Sequence, residues 1–147
     1  MVRFILETDY DMQIKQEIIR LLTAQEFYQS AKLVRAEQTA IRQIRNRIAK
    51  RYDCDKIFTS LIPGDPDVRD QWIVTITIDI LLYHLYSQTG MKDIPQHRQD
   101  RYQDALDWLK DVGNGNTTPE LPALVDEDGN EYSEVIINSR PQENQRW

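Results

Sequence analysis

The chain has 147 residues, of which 40% are hydrophobic and 29% are charged, and its formal net charge is -6. This length can bury a single hydrophobic core, so one globular unit is the first expectation. The acidic balance argues against a protein that simply coats a nucleic acid backbone, because such proteins concentrate Lys and Arg to displace counterions.

The chain carries a single cysteine, Cys54, which cannot form an internal disulfide. Residues 1–12 have neither a long apolar run nor a small-residue cleavage site, so we expect the protein to be made in a reducing cytoplasm. The longest apolar-rich stretch, Trp72 to Tyr86, falls short of the roughly 20 apolar residues that span a bilayer. No membrane role is expected.

The first half of the chain predicts two helices. The first is capped by Thr8 or Asp9 and continues to Leu22, because its apolar residues largely share one face. A further turn is predicted around Phe27 and Tyr28. The second helix covers residues 33–52, where apolar residues recur at steps of three, four and seven without Gly or Pro.

Residues 54–67 are predicted to form a loop with an apolar anchor, because they end in the breaker run Pro63-Gly64-Asp65-Pro66. Residues 68–87 are ambiguous: the alternation of Ile and Thr suits a strand, whereas the unbroken length suits a buried helix. Length and the stop at Gly90 favour the helix. A fourth helix is predicted to open at Pro95 and to be capped at Gly113.

Beyond Gly115 the composition changes. Two short apolar segments, Leu121 to Val125 and Tyr132 to Asn138, flank Asp128-Gly129 and predict a β-hairpin. The fold class expected is mainly α: a four-helix bundle-like domain over residues 1–118, with a C-terminal hairpin and extended arm over residues 119–147. Two strands alone are marginally stable, so the arm is a candidate for an interaction.

Catalytic chemistry has little support in the sequence. The only histidines are His84 and His97, and neither they nor Cys54 has a metal-ligand spacing. A histidine within an apolar helix is usually a partly buried, hydrogen-bonded residue, which is how we interpret His84. We therefore predict no enzyme activity, no cofactor and no metal site.

Positive charge is concentrated in the second helix. The simplest interpretation of these cations is a solvated helix surface. The functional alternatives are contact with an acidic neighbouring subunit or a weak lining for passing DNA. Acidic residues of the fourth helix supply a possible complementary patch. The residues predicted for a subunit interface are Arg42, Arg45, Arg47, Lys50, Arg51, Asp104, Asp107 and Asp111.

Apolar and aromatic residues occur at intervals in the otherwise polar C-terminal arm. They suit a strand that pairs with the edge of another protein's sheet, or equally a hairpin folded back on its own bundle. The residues predicted to contact a partner are Tyr132, Val135, Ile136, Ile137, Arg140 and Trp147.

Three segments, in their order and spacing, also carry a likeness to a known family. They are the helix from Ala36-Glu37 to Arg51-Tyr52-Asp53, the segment Asp79-Ile-Leu-Leu-Tyr-His-Leu85, and the segment Arg101-Tyr102-Gln-Asp-Ala-Leu-Asp-Trp108-Leu109 closing in Gly115. The chain resembles the Mu-like prophage connector proteins, a family of head-to-tail adaptors, over roughly Tyr10 to Pro122. Residues 121–147 match the family pattern poorly.

The resemblance implies a helical bundle without enzyme activity. It also implies a ring of copies, a dodecamer if it matches a twelve-fold portal, that lies beneath the portal at the head-tail junction of the virion. Its partners would be other copies of itself, the portal protein, a tail or second connector protein, and genomic DNA that passes through the lumen without specific binding. The arm residues would then be the portal or tail contact. The alternative is a small cytoplasmic DNA-binding or regulatory protein that uses the basic helix 35–51.

Overall fold

The computed structural model describes residues 3–22, 27–88 and 93–129, and within them the fold is mainly α, as predicted. The elements in chain order are α1 (Glu7–Gln13), α2 (Lys15–Leu22), a 3-10 turn (Phe27–Gln29), α3 (Ala31–Ile48), α4 (Cys54–Ile57), α5 (Gln71–Gln88) and α6 (Gln96–Asn114).

The core of the fold is a bundle in which the three long helices α3, α5 and α6 pack against one another in every pair. Helices α3 and α6 each bury a stripe of aliphatic side chains at helical spacing, and Leu33, Ile44, Ile80 and Leu109 are fully buried. The prediction that Ile44 belongs to the core is confirmed. Because α3 and α6 each bury only one side in this bundle, they keep separate outer faces.

Residues 68–87, whose sequence is compatible with a strand or a helix, contain the helix α5. It is apolar on nearly all sides because α3 and α6 cover it, which is why it lacks the usual amphipathic pattern. Its buried Thr77 donates from Oγ1 to the carbonyl of Ile73 at 2.6 Å, so the hydroxyl is satisfied within the helix. Burial thus overrides the strand preference of its β-branched residues.

The prediction of one helix from residues 8 or 9 to 22 is wrong, because the chain breaks at Ile14, whose φ is -150° and ψ is 15°. Helix α1 begins at Glu7, and the Asp9 side chain accepts from the backbone N–H of Leu6 at 2.7 Å. Asp9 therefore caps the helix from inside its first turn rather than preceding it.

The prediction that Gly113 caps the last helix is also wrong. Helix α6 continues to Asn114, and Gly115 ends it in the left-handed region with φ of 82°. Gly113 meets a different requirement: a Cβ there would lie 2.6 Å from the backbone carbonyl oxygen of Arg47. The absent side chain lets α6 approach the end of α3 closely.

The predicted loop at 54–67 begins with the short helix α4, because the Asp53 side chain accepts from the backbone N–H groups of Asp55 and Lys56. The apolar anchor is confirmed for Ile57 and Phe58, both of which are buried. Ile62 in the same loop is 60% exposed, so the anchor does not extend to it.

Residues 3–22 are held on the bundle by apolar contacts and by three arginine–carboxylate clusters. Arg3 pairs with Glu37 of α3, and Arg69 pairs with Asp9 of α1. Arg98 of α6 pairs with Glu17 of α2 at 2.9 Å. Because the arginine side chains are 10% exposed or less, these pairs form in an environment of low dielectric.

After α6 the chain returns along the end of α3. Tyr52 and Ala123 form an isolated antiparallel bridge, and the backbone N–H of Asp53 donates to the carbonyl of Pro122 at 2.8 Å. Among residues 3–22, 27–88 and 93–129 no extended strand is formed. The second predicted hairpin strand, Tyr132 to Asn138, lies outside the described residues, so the hairpin and the boundary at residue 118 stay predictions.

Candidate interaction surfaces

The exposed surface of α3 is cationic. Its only acid, Glu37, is buried and pairs with Arg3, so none of the exposed residues of this helix is negative. Arg35 and Arg42 are seven residues apart, which places them on the same outward face about two turns from each other. We call the surface basic residues of α3 and its C-terminal extension the α3 cationic face; they are the half-buried Arg45 and the exposed Lys32, Arg35, Arg42, Arg47 and Lys50.

Two of the arginines predicted for the interface have structural roles. Arg45 pairs with Asp55 at 2.9 Å, and its guanidinium lies 5.4 Å from the centre of the Phe58 ring. The Arg51 guanidinium lies against Gly115, since a Cβ at that glycine would be 2.6 Å from Nη2. A cation at this point is favourable because the carboxyl end of α6 carries partial negative charge.

The remaining predicted cations are differently placed. Arg42, Arg47 and Lys50 are exposed, and within the described part of the chain no acidic residue forms an ion pair with them. Arg47 projects from the end of the helix where its backbone meets Gly113. Arg42 lies on the outward face beside Gln38 and Ala49. Arg42 is therefore the predicted residue best placed to meet another molecule.

Four aspartates form a continuous stripe on α6. Asp100, Asp104, Asp107 and Asp111 follow one another at steps of four, three and four, so they occupy an arc of about 60° on the helix. All four are exposed. We call them the aspartate stripe. The three aspartates predicted from sequence are brought together here, and Asp100 was missed although the same spacing identifies it.

This stripe works against the stability of its own helix. Acids at i,i+3 and i,i+4 repel one another, and Asp111 lies in the last turn, where the helix dipole disfavours negative charge. Local contacts relieve part of the repulsion: Gln96 donates to Asp100, and Gln103 donates to Asp107, each at 2.9 Å. The remaining unfavourable charge is what a cationic partner would neutralise.

An aromatic pair borders the stripe. The rings of Trp72 in α5 and Trp108 in α6 meet edge to face with centroids 6.0 Å apart. Trp72 keeps half of its surface exposed, and Val68 in the preceding loop is 80% exposed. Sequence reasoning assigned both residues to an apolar segment but gave no signal of their exposure.

A second group of polar and aromatic residues bridges the three long helices. His84 Nε2 lies 2.9 Å from Gln43 Oε1, and Gln43 Nε2 donates to the Tyr102 hydroxyl at 3.1 Å. The Tyr102 ring stacks on Tyr83 with centroids 3.9 Å apart. Burial lowers the pKa of His84. The expectation of a partly buried, satisfied histidine is confirmed.

The described residues offer no metal site, since they contain no group of three His, Cys, Asp or Glu residues able to hold an ion. Cys54 is buried, and burial raises the pKa of its thiol. Among the described helices none is long and apolar enough to cross a membrane. The predicted arm residues Tyr132, Val135, Ile136, Ile137, Arg140 and Trp147 lie outside the described part of the chain.

Residues 67–136 match the family model described as Bacteriophage Mu, Gp36. The match covers just under half of the chain and includes α5 and α6, and therefore both Trp72 and the aspartate stripe. No curated protein matches the chain, and no solved structure does. The family match supports a Mu-like phage protein.

Proposed function

We propose that this chain is a head-to-tail connector subunit of a tailed phage. Copies of it form a ring beneath the portal, join the capsid to the tail and enclose the channel through which DNA leaves. The match to a phage Mu family supports the phage context. The role in the ring rests on the resemblance described from the sequence and on the distribution of charge over the bundle.

The observation that carries the proposal is the separation of charge between two helices. The α3 cationic face and the aspartate stripe of α6 are different surfaces of one subunit, each exposed. A head-to-tail interface joins two different patches of the same chain, and repeated around an axis it closes a ring. Complementary charge steers such an encounter and fixes its register.

The electrostatics of a channel are consistent with the same arrangement. A net charge of -6 disfavours indiscriminate binding of the chain to duplex DNA, since Lys and Arg drive that binding. DNA would therefore pass through the lumen without specific contacts. The arm beyond residue 129 is the segment that we assign to the portal or tail.

The test is quantitative mass spectrometry of purified virions, in which the copy number of this chain is compared with that of the portal protein. We expect both proteins in equal or near-equal numbers. Absence of the chain from finished particles would reject the connector role.

The exposed cationic surface of α3 also favours a second function, a small DNA-binding or regulatory protein. It predicts binding of the isolated chain to duplex DNA that weakens steeply with salt. Replacing Arg42 and Arg47 with Glu should then abolish binding, while replacing Asp104 and Asp107 with Asn should not weaken it. DNA binding that is absent at low salt would exclude this alternative.

A further inference from the structure

Trp72 is a large apolar side chain that the fold does not cover. Half of its surface is exposed although its ring contacts Trp108, and Val68, four residues earlier in the chain, is more exposed still. Exposed apolar residues that occur singly are ordinary, but Trp72 is paired with a second tryptophan, and the two rings form a larger aromatic surface. Tryptophan is also among the residues most often found at the energetic centre of interfaces.

The aspartate stripe runs beside Trp108 on α6. Asp104 and Asp111 lie four residues before and three residues after Trp108, so they flank it on the same side of α6. A partner for this surface must therefore present cations beside an apolar or planar group. Arginine meets both requirements, since its guanidinium pairs with carboxylates and stacks on the face of a tryptophan ring.

The chain itself carries a surface of that description. Arg35 and Arg42 are separated by seven residues on the outward face of α3, and Asp104 and Asp111 are separated by seven residues on α6. Each pair therefore spans about 10.5 Å along its helix. Side by side, the two helices place both arginines opposite both aspartates without a change of register.

We propose that the Trp72–Trp108 pair and the adjoining aspartates receive the α3 cationic face of a second copy of this chain. Arg35 of one copy faces Asp104 of the next, and Arg42 faces Asp111. Trp72 is the apolar anchor of the contact. The proposal rests on the ring proposed above and names the surfaces that form it. It accounts for the unfavourable aspartate stripe and for the exposure of Trp72.

The test measures self-association of the full-length chain by sedimentation equilibrium at low and high salt. We expect wild-type chains to associate, more strongly at low salt, and Trp72→Ala to weaken association at least tenfold. The matched control is Ile19→Ala, which removes another partly exposed apolar side chain, on α2, and should leave association unchanged. Circular dichroism and thermal melts check that each variant is folded.

A charge swap tests the pairing independently of Trp72. Arg42→Asp and Asp111→Arg should each weaken association at least tenfold, and the double variant should recover most of it, because each new Asp then meets a new Arg on the next copy. Gln99→Arg adds a cation to another exposed position of α6 and should have little effect. These surface substitutions keep the test decisive if Trp72→Ala does not fold.

Three results would overturn the interface. They are a wild-type chain that stays monomeric at every concentration, unchanged association of Trp72→Ala, and a double swap that fails to recover. Any of them, combined with equal copies of chain and portal in virions, would retain the connector function and reject this interface. Absence from virions with intact, swap-sensitive association would instead retain the interface and reject the connector.

Discussion

The bundle of α3, α5 and α6 and the N-terminal segment 3–22 are held together by different forces. The bundle helices meet mainly through aliphatic side chains, with one buried ion pair, Arg98–Asp79, between α6 and α5. The N-terminal segment adds three buried arginine–carboxylate clusters to its apolar contacts. Apolar burial is favourable in nearly any arrangement that excludes water. Buried ion pairs are favourable only in one geometry, so the clusters specify where the segment lies more than they stabilise it.

The largest expected effect comes from removing one side of such a cluster. The Arg69 side chain is 2% exposed and donates to the carbonyl of Phe4 and to Asp9, each at 2.7 Å. Arg69→Ala should lower the free energy of unfolding by about 3 to 5 kcal/mol, because it leaves buried acceptors without a donor. Urea unfolding measures the loss.

Arg45→Ala is the matched control, since the Arg45–Asp55 pair is exposed to solvent, with side chains that are 36% and 88% accessible. Solvent screens such a pair, so this variant should lose at most about 1 kcal/mol. Equal losses in the two variants would contradict the assignment of the N-terminal segment to buried ionic contacts.

The next largest loss of stability is expected from a substitution in the core of the bundle. Ile44 is fully buried between the long helices, and Ile44→Ala should cost about 2 to 5 kcal/mol through lost burial and the cavity left behind. Ile19 of α2 is 41% exposed, so Ile19→Ala should change stability by about 0.5 kcal/mol or less. Chemical denaturation of both variants compares them, and a small loss at Ile44 would rule out its central position in the core.

The contrast between apolar packing and buried ion pairs also explains which parts of the fold could be predicted from the sequence. Helices α3 and α6 follow from apolar periodicity, because each buries a stripe that repeats every 3.6 residues, whereas α5 was predicted from its unbroken length and the stop at Gly90. The clusters join residues 34, 60 and 81 positions apart, and no local pattern pairs Arg3 with Glu37 or Arg98 with Glu17. The break at Ile14 was missed for a related reason, since neither Gly nor Pro marks it.

The candidate surfaces also have features that the sequence predicts and features that only the fold creates. The positions of the charges were readable, and helical spacing alone groups the aspartates of α6, including the overlooked Asp100. The sequence could not predict which arginines make contacts within the subunit, because Arg45 meets Asp55 and Arg51 meets Gly115 only in the folded chain. The exposure of Trp72 was hidden by α5, whose apolar residues cover all sides and give no direction to its faces.

The smallest expected effect concerns the rim of the Arg69 cluster. Asp67 accepts from Arg69 Nη2 at 2.7 Å and from the Arg69 backbone N–H at 3.0 Å, and these bonds lower the pKa of Asp67 to about 2. A carboxyl whose pKa is lowered by folding stabilises the protein above its unfolded pKa of 3.8. That contribution should therefore be lost as the pH falls from about 4 to about 2.

The Asp67 side chain is 37% exposed, so solvent screening should keep this loss to about 1 kcal/mol or less. Urea unfolding of the wild type and of Asp67→Asn at about pH 5 and about pH 2 isolates it from the other carboxyls. The wild type should be the more stable protein at the higher pH, and the difference should shrink at the lower pH as Asp67 becomes protonated. A difference that does not change with pH would mean that Asp67 acts through packing or neutral hydrogen bonds, and that charge enters the N-terminal attachment only at the buried pairs.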